Sequence, residues 1–241
     1  YMRVIDFIQV PTSLLAMADS AVVGKTGIDF EGLKNQLGTI RQPAGVFIFP
    51  GFLHSLPLSQ LYSGFAEIIK AGLIGDKNLF LKLARLKKLL PVNAEKIIFR
   101  AVEIKNDVVK TDPCEKKLRK VLNFGHTIGH ALESAMLKKG EPILHGEAVA
   151  LGMLAESYLS LRTKRITAVE FKKIERVITQ WYNPVSNHLF TSENLFELML
   201  RDKKNINQQI NFTLLNGIGE AEVNCVVPDT LIVEALKFLW K

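Results

Sequence analysis

No apolar run in the 241-residue chain approaches the ~20 residues that cross a bilayer as a helix, so no membrane-spanning helix and no membrane partner are expected. The start, "YMRVIDFIQVPTS", lacks a basic leader followed by a small-residue cleavage site, and no secretory signal is read from it. Only two cysteines occur, Cys114 and Cys225, far apart and without metal-ligand spacing. That pattern fits a reduced, cytoplasmic protein. Internal repeats and low-complexity segments are missing. The basic run "KLARLKKLL" has no interleaved aromatics, which argues against a single-stranded nucleic-acid surface and against a nucleic-acid partner. "VVGKTG" looks like the end of a phosphate-binding P-loop, but Asp19 stands where that motif needs its first glycine.

What is present describes a globular chain. Hydrophobic residues make up 48% and charged residues 23%, enough for one large core or two small ones. The net charge of +7 admits an anionic partner such as a phosphorylated substrate. The bland alternative is that lysines in "KLARLKKLL" and "EFKKIER" fall on helix faces and meet water.

Along the chain, "VIDFIQVP" and "AGVFIFPG" are short β-rich runs ended by proline and read as strands. Between them, the glycine-punctuated stretch from Ala18 to Gly45 reads as a loop region rather than a packed element. After Pro57 the periodicity becomes helical. Helices are expected in "LSQLYSGFAEIIKAGLI", "NLFLKLARLKKLL", "NAEKIIFRAVEIKNDVVKTD", "FGHTIGHALESAMLKKG", "GEAVALGMLAESYLSLR", "AVEFKKIERVITQWY", "ENLFELMLRD" and "DTLIVEALKFLW". Asn123 is a candidate N-cap for the fourth, and Gly140 its stop. "QINFTLLNGIGEAEVNCVV" reads as a β-hairpin turning at Asn216-Gly217. The fold class is therefore mainly α, a multi-helix domain with short N-terminal strands and one β-hairpin. Two strands alone are marginal, so an N-terminal domain is expected to be missing from the chain.

Chemistry concentrates in "NFGHTIGHALE". His126 and His130 lie one turn apart on one helix face, with Gly125 and Gly129 on a neighbouring face. Each glycine costs a helix roughly 1 kcal/mol relative to alanine, so something must offset them. His145 opens the next helix, and Glu67 has Ser63, Gly64, Lys70 and Ala71 around it at helical spacing. Two histidines and one carboxylate from three helices would make a three-ligand zinc site with an open position. Hydrogen-bonded core histidines are the alternative. His54 and His188 fall in loop-like sequence and read as surface residues. Lys105 shares a stripe with Ile98, Val102 and Val109, so it either snorkels or points at an anion in a cleft.

Taken in order, "PTSLLAMADSAVVGKTGID", "GLKNQLGTIRQP", "SGFAEIIKAGLI", "LRKVLNFGHTIGHALE" and "LHGEAVALGM" resemble successive signature blocks of the 3-dehydroquinate synthase family, with weaker similarity through "DKKN" and "IGEAEV". One departure is Val23, where the family usually has a glycine, which could narrow the approach of a phosphate or cofactor. The resemblance implies an N-terminal NAD-binding domain and a C-terminal helical metal domain, usually in a homodimer. Residues 1–56 would then be junction strands and a glycine-rich loop region completing the absent NAD-binding domain, and residues 57–241 the helical metal- and substrate-binding domain. On its own such a chain is expected to be inactive.

The resemblance also implies roles. Glu67, His126 and His145 would hold Zn2+ or Co2+. His130 and Glu115 would handle protons, with His130 also meeting phosphate. Lys105, Arg119 and Asn123 match contacts to a substrate carboxylate. Arg3, Lys25, Asn35 and one of Lys203 or Lys204 match phosphate contacts, and Asp19 and Lys70 match groups near the hydroxyls. Thr12, Ser13, Lys25, Lys34 and Phe52, Leu53, His54 and Ser55 match positions that touch NAD. The implied reaction is NAD- and metal-dependent, phosphate-eliminating cyclisation of 3-deoxy-arabino-heptulosonate 7-phosphate to 3-dehydroquinate, a step of the shikimate pathway and so of aromatic amino acid biosynthesis. Another sugar-phosphate cyclase or a metal-dependent polyol dehydrogenase of the same superfamily is the alternative.

Overall fold

The computed structural model describes residues 5–22, 24, 28–30, 33–38, 41–89, 94–113, 115, 117–184, 191–200 and 209–240. Strand β1 (Ile8–Gln9) is followed by helix α1 (Leu14–Ala18), a 3-10 turn at Ser20–Val22, β2 (Ile28–Phe30), β3 (Leu33–Leu37), β4 (Gly45–Val46) and a 3-10 helix at Pro50–Ser55. Helices α2 (Leu58–Gly75), α3 (Lys77–Leu83), α4 (Ala94–Thr111), α5 (His126–Lys138), α6 (His145–Arg162), α7 (Ala168–Trp181) and α8 (Ser192–Leu200) then form the body. A hairpin of β5 (Phe212–Leu215) and β6 (Ala221–Cys225) precedes α9 (Asp229–Phe238). Among the described residues no helix is long and apolar enough to cross a membrane.

Helix α6 is the axis of the fold. Its residues Ala148 to Ala155 are buried on every side, as expected for a helix apolar all round. Helices α2, α5, α7 and α9 and strand β5 pack around it. The core runs continuously from Leu14 and Met17 through Phe65, Phe124 and Leu154 to Leu236. Glycines allow the closest helix contacts. A Cβ on Gly152 of α6 would stand 1.9 Å from the Gly125 carbonyl oxygen, and one on Gly129 would stand 2.9 Å from that of Ala148. The glycine pair beside the histidines thus lets the start of α5 lie directly on α6.

β1 and β4 pair in parallel, Ile8 opposite Gly45, while β5 and β6 form the antiparallel hairpin expected at Asn216-Gly217. The turn docks on α2, with the Gly219 N–H donating to Leu73 O at 2.8 Å. Two local expectations are corrected. The stretch from Ala18 to Gly45 is not a plain loop, because it holds the 3-10 turn and the antiparallel pair β2–β3, and Ala18 and Ala21 are buried. Elements of three to five residues are too short to build a periodic signal against glycine-rich surroundings. Nor does Asn123 cap α5. It ends a 3-10 helix at Leu118–Asn123, and Gly125, at φ +80°, takes the cap position without a side chain.

Candidate active site

The site forms where the starts of α5 and α6 meet the middle of α2. Glu67 lies on the buried side of α2, four residues after Ser63, whose hydroxyl accepts from the Gly146 N–H at 3.1 Å. That bond ties the first turn of α6, and with it His145, to α2. His126 and His145 are the first residues of their helices, so both rings project from helix N-termini toward Glu67. Nε2 of His126 is 3.7 Å and Nε2 of His145 is 4.0 Å from Glu67 Oε1. His130 closes the group: its ring centroid is 5.2 Å from that of His126 and 5.8 Å from that of His145. One ring nitrogen from each of the three histidines lies within 4.8 Å of the others.

These atoms fit a divalent cation. Ligand atoms about 2.0–2.1 Å from a tetrahedral zinc stand roughly 3.4 Å apart, close to the separations seen. Glu67 Oε2 pairs with Lys70 Nζ at 2.5 Å, but Oε1 is buried and has no hydrogen-bond partner among the described residues. An unsatisfied buried acceptor costs about 1–3 kcal/mol, more when charged, and a cation would relieve it. Burial raises the pKa of Glu67, and Lys70 opposes that rise. His126 is held well below the usual imidazole range by burial, by Lys70 and by the two neighbouring histidines. Its ring is therefore neutral, the form that ligates metal. The outer nitrogens are occupied: His126 Nδ1 is 3.2 Å from Phe124 O, and His145 Nδ1 is 3.4 Å from Glu133 Oε2.

Beside this group a narrow cleft, open to solvent on one side, is lined by Asp19, Glu67, Lys70, Ala101, Lys105 and Leu122. Lys105 is buried and paired through Nζ with Asp19 Oδ1, so it does not snorkel. Burial lowers the pKa of Lys105, and Asp19 opposes this; burial pulls Asp19 upward, but Lys105 and Lys70 outweigh it and hold that carboxyl well below its ordinary range. Arg119 is also buried and donates to Pro113 O at 2.8 Å, while Asp112 accepts from its backbone N–H at 3.1 Å. Asn123 Nδ2 donates to Glu115 Oε1 at 3.4 Å, and Glu115 sits in the left-handed region at φ +57°.

Other expected residues are more dispersed. Ser13 caps α1, accepting from the Ala16 N–H at 3.2 Å, and Thr12 before it is exposed. Phe52, His54 and Ser55 lie exposed on the 3-10 helix at Pro50–Ser55, but Leu53 turns into the core. Lys34 and Asn35 fall on β3. Arg3, Val23, Lys25, His188, Lys203 and Lys204 lie outside the described residues. Two acids with no role in the sequence-based expectations stand out. Glu133 shares the "NFGHTIGHALE" stretch and faces His145, and Glu156 is a lone carboxyl inside the apolar run of α6. A charge in the middle of an otherwise apolar helix is the available signal for Glu156.

Residues 64–205 match the 3-dehydroquinate synthase C-terminal family, and residues 1–63 match 3-dehydroquinate synthase N-terminal. The 3-dehydroquinate synthase of Parabacteroides distasonis is 40% identical over 240 residues, covering 99% of this chain and 68% of the relative. That of Thermoanaerobacter pseudethanolicus is 39% identical over 96% of this chain and 66% of its own length. The chain thus spans about two thirds of the relatives it matches. Among solved structures, 2-epi-5-epi-valiolone synthase from Streptomyces hygroscopicus with NAD+ and Zn2+ bound superposes with a TM-score of 0.84 at 31% identity, over 97% of this chain and 66% of that one. A 2-deoxy-scyllo-inosose synthase complexed with carbaglucose-6-phosphate, NAD+ and Co2+ gives 0.84 at 26% identity over the same shares.

Proposed function

The chain belongs to the 3-dehydroquinate synthase family, and from that premise we propose that the protein carrying it converts 3-deoxy-arabino-heptulosonate 7-phosphate to 3-dehydroquinate and phosphate with NAD and Zn2+ or Co2+. The observation that carries this reading is Glu67 Oε1, buried, without a hydrogen-bond partner among the described residues, and facing the neutral His126 ring and His145 beside a cleft lined by Lys70, Lys105 and Asp19. Glu67, His126 and His145 would hold the metal, and Thr12, Ser13 and the exposed Phe52, His54 and Ser55 would meet the dinucleotide. When bound, the metal supplies a Lewis acid for substrate hydroxyls and NAD a reversible hydride acceptor.

The chain's own groups supply binding and proton handling. Lys105, paired with Asp19, and Arg119 are cations held out of water. A substrate carboxylate would meet both, with Asn123 beside it. Asp19 and Lys70 flank the cleft where hydroxyls would lie and can orient them by charge-assisted hydrogen bonds. His130, whose ring lies against those of His126 and His145, would take or return a proton at its ring, and Glu115 at its carboxylate. Phosphate contacts fall to Arg3, Lys25, Asn35 and Lys203 or Lys204. Assembly as a homodimer in the cytoplasm belongs to the same reading.

The likeness to cyclases of other names favours a second reading, a sugar-phosphate cyclase whose substrate lacks a carboxylate. Lys105 and Arg119, which match contacts to a substrate carboxylate, argue against it. Phosphate release decides between them, measured with NAD and Zn2+ or Co2+ in a protein of the relatives' full length containing this sequence. Turnover of the keto-acid phosphate well above that of a neutral hexose phosphate is expected. The reverse preference overturns the proposal, and net accumulation of NADH would indicate a polyol dehydrogenase.

A further inference from the structure

Glu156 is wholly buried in the middle of α6 and takes no part in the chemistry above. Its two oxygens reach across to the start of α5. Oε2 accepts from the Gly125 N–H at 2.6 Å and Oε1 from the Ile128 N–H at 3.2 Å. These two donors bracket His126, the first residue of that helix. A helix start leaves its first N–H groups without partners, and a Ser, Thr, Asp or Asn side chain at the cap position normally takes one of them. Gly125 has no side chain to offer. Glu156 supplies the missing cap from another helix, 31 residues along the chain.

The same turn of α6 also fixes distance. Gly152, four residues before Glu156, lies so close that a Cβ there would meet the Gly125 carbonyl oxygen at 1.9 Å. A Cβ on Gly125 would in turn stand 2.8 Å from Val149 O. Backbone contact therefore sets how near α5 approaches, and the Glu156 carboxyl sets the direction in which its first turn points. Both act on the peptide units on either side of His126.

Resting on the reading of His126 as a metal ligand, we infer that Glu156 is a positioning residue, which holds the first turn of α5 so that the His126 ring faces Glu67 and His145. Nothing in the role requires Glu156 to touch the metal or the substrate. Its effect is transmitted through the backbone N–H groups of Gly125, Thr127 and Ile128.

Zinc affinity of the 241-residue chain, by isothermal titration or chelator competition, provides the test. Glu156→Gln keeps one carbonyl acceptor of the two and should weaken zinc binding about tenfold, and Glu156→Ala should approach a hundredfold, the range seen when groups supporting a metal ligand are removed. Leu236→Ala, in the wholly buried part of α9, should lower the melting temperature and leave the zinc Kd within about twofold, separating positioning from general loosening. If Glu156→Ala does not fold, Glu156→Gln decides. A folded Glu156→Gln protein that binds zinc as wild type does, or a Leu236→Ala protein that loses affinity equally, overturns the inference. His126→Ala checks the premise separately: wild-type zinc affinity in that variant removes the metal reading itself.

Discussion

Glu133 Oε2 lies 3.4 Å from Nδ1 of His145, on the side of the ring away from Glu67. The carboxylate and the ring come from different helices, α5 and α6, yet meet at the site. A carboxylate there accepts the Nδ1 proton, which fixes the tautomer and leaves the Nε2 lone pair directed at the Glu67 side. Glu133→Ala frees the ring to rotate and to change tautomer. The expected outcome is a roughly 10–100-fold weaker zinc affinity, while Glu133→Gln, which still offers a carbonyl oxygen, keeps most of it. Titration of zinc into the two variants measures the difference, and equal affinities for both would show that the contact is incidental.

The two histidines of "NFGHTIGHALE" should separate on mutation. Nε2 of His126 stands 3.7 Å from Glu67 Oε1, whereas His130 meets its neighbours ring to ring. His126→Ala should therefore abolish stoichiometric zinc binding. His130→Ala should retain about one zinc per chain and, in a protein of the relatives' full length, slow phosphate release by about 10²–10⁴-fold. Elemental analysis of the purified variants reads the first result directly. Zinc lost from His130→Ala and kept in His126→Ala would reverse the assignment.

Much of this arrangement is legible in the sequence, and the limits are physical. Helices α2, α4, α6 and α7 carry long periodic or wholly apolar runs, so burial alone announces them. Spacing and small neighbours point to two histidines and a carboxylate from three helices, while the choice of Glu67, His126 and His145 comes from the family resemblance. The cap on α5 is not legible in the sequence. Asn123 has the right side chain at the right distance from the apolar run, yet a 3-10 helix and the left-handed Gly125 displace it, and the cap comes from Glu156. A hydrogen bond between residues 31 positions apart leaves no periodic trace. The loop reading of Ala18 to Gly45 fails for a related reason, since a three-residue and a five-residue strand paired with each other need no apolar period.

Stability should depend on pH through Glu156. Burial pushes its pKa up to about 8, against the pull of backbone N–H donors at Gly125, Ile128 and Thr127. The folded-state value exceeds the ordinary carboxyl value of 4.5, so between these limits the folded chain holds a proton that the unfolded chain has lost. The contribution of Glu156 is therefore fully present below pH ~4.5 and declines as pH rises toward ~8. His126 works in the opposite direction: its depressed pKa makes stability rise as pH climbs through its ordinary value of 6.5. The difference between wild type and Glu156→Gln isolates the first effect. In metal-free protein, urea unfolding at about pH 5 and pH ~8.5 should show the wild-type advantage shrinking by a few kcal/mol, with ~5 kcal/mol as the ceiling. An advantage that grows with pH would mean that the N–H donors, not burial, dominate this carboxyl.

Two glycines with opposite surroundings test how tightly α5 is held on α6. A Cβ added at Gly152 would lie 1.9 Å from Gly125 O and 2.7 Å from Gly129 N, both backbone atoms that cannot rotate away. Gly152→Ala must therefore push the first turn of α5 outward or strain α6. Overpacking of this kind costs roughly 1–3 kcal/mol, and the absence of any yielding side chain places this variant at or above the top of that range. The displaced turn carries His126, so zinc affinity should fall together with stability. Gly140, just beyond the end of α5, has nothing within 4 Å of the position a Cβ would take, but its φ of +78° belongs to the left-handed region. Gly140→Ala should cost only the backbone penalty of about 1–2 kcal/mol and leave zinc affinity unchanged. Thermal unfolding and zinc titration of both variants distinguish the two outcomes. If Gly152→Ala binds zinc as tightly as Gly140→Ala does, the metal group tolerates movement of α5, and close contact with α6 does not set the geometry of the site.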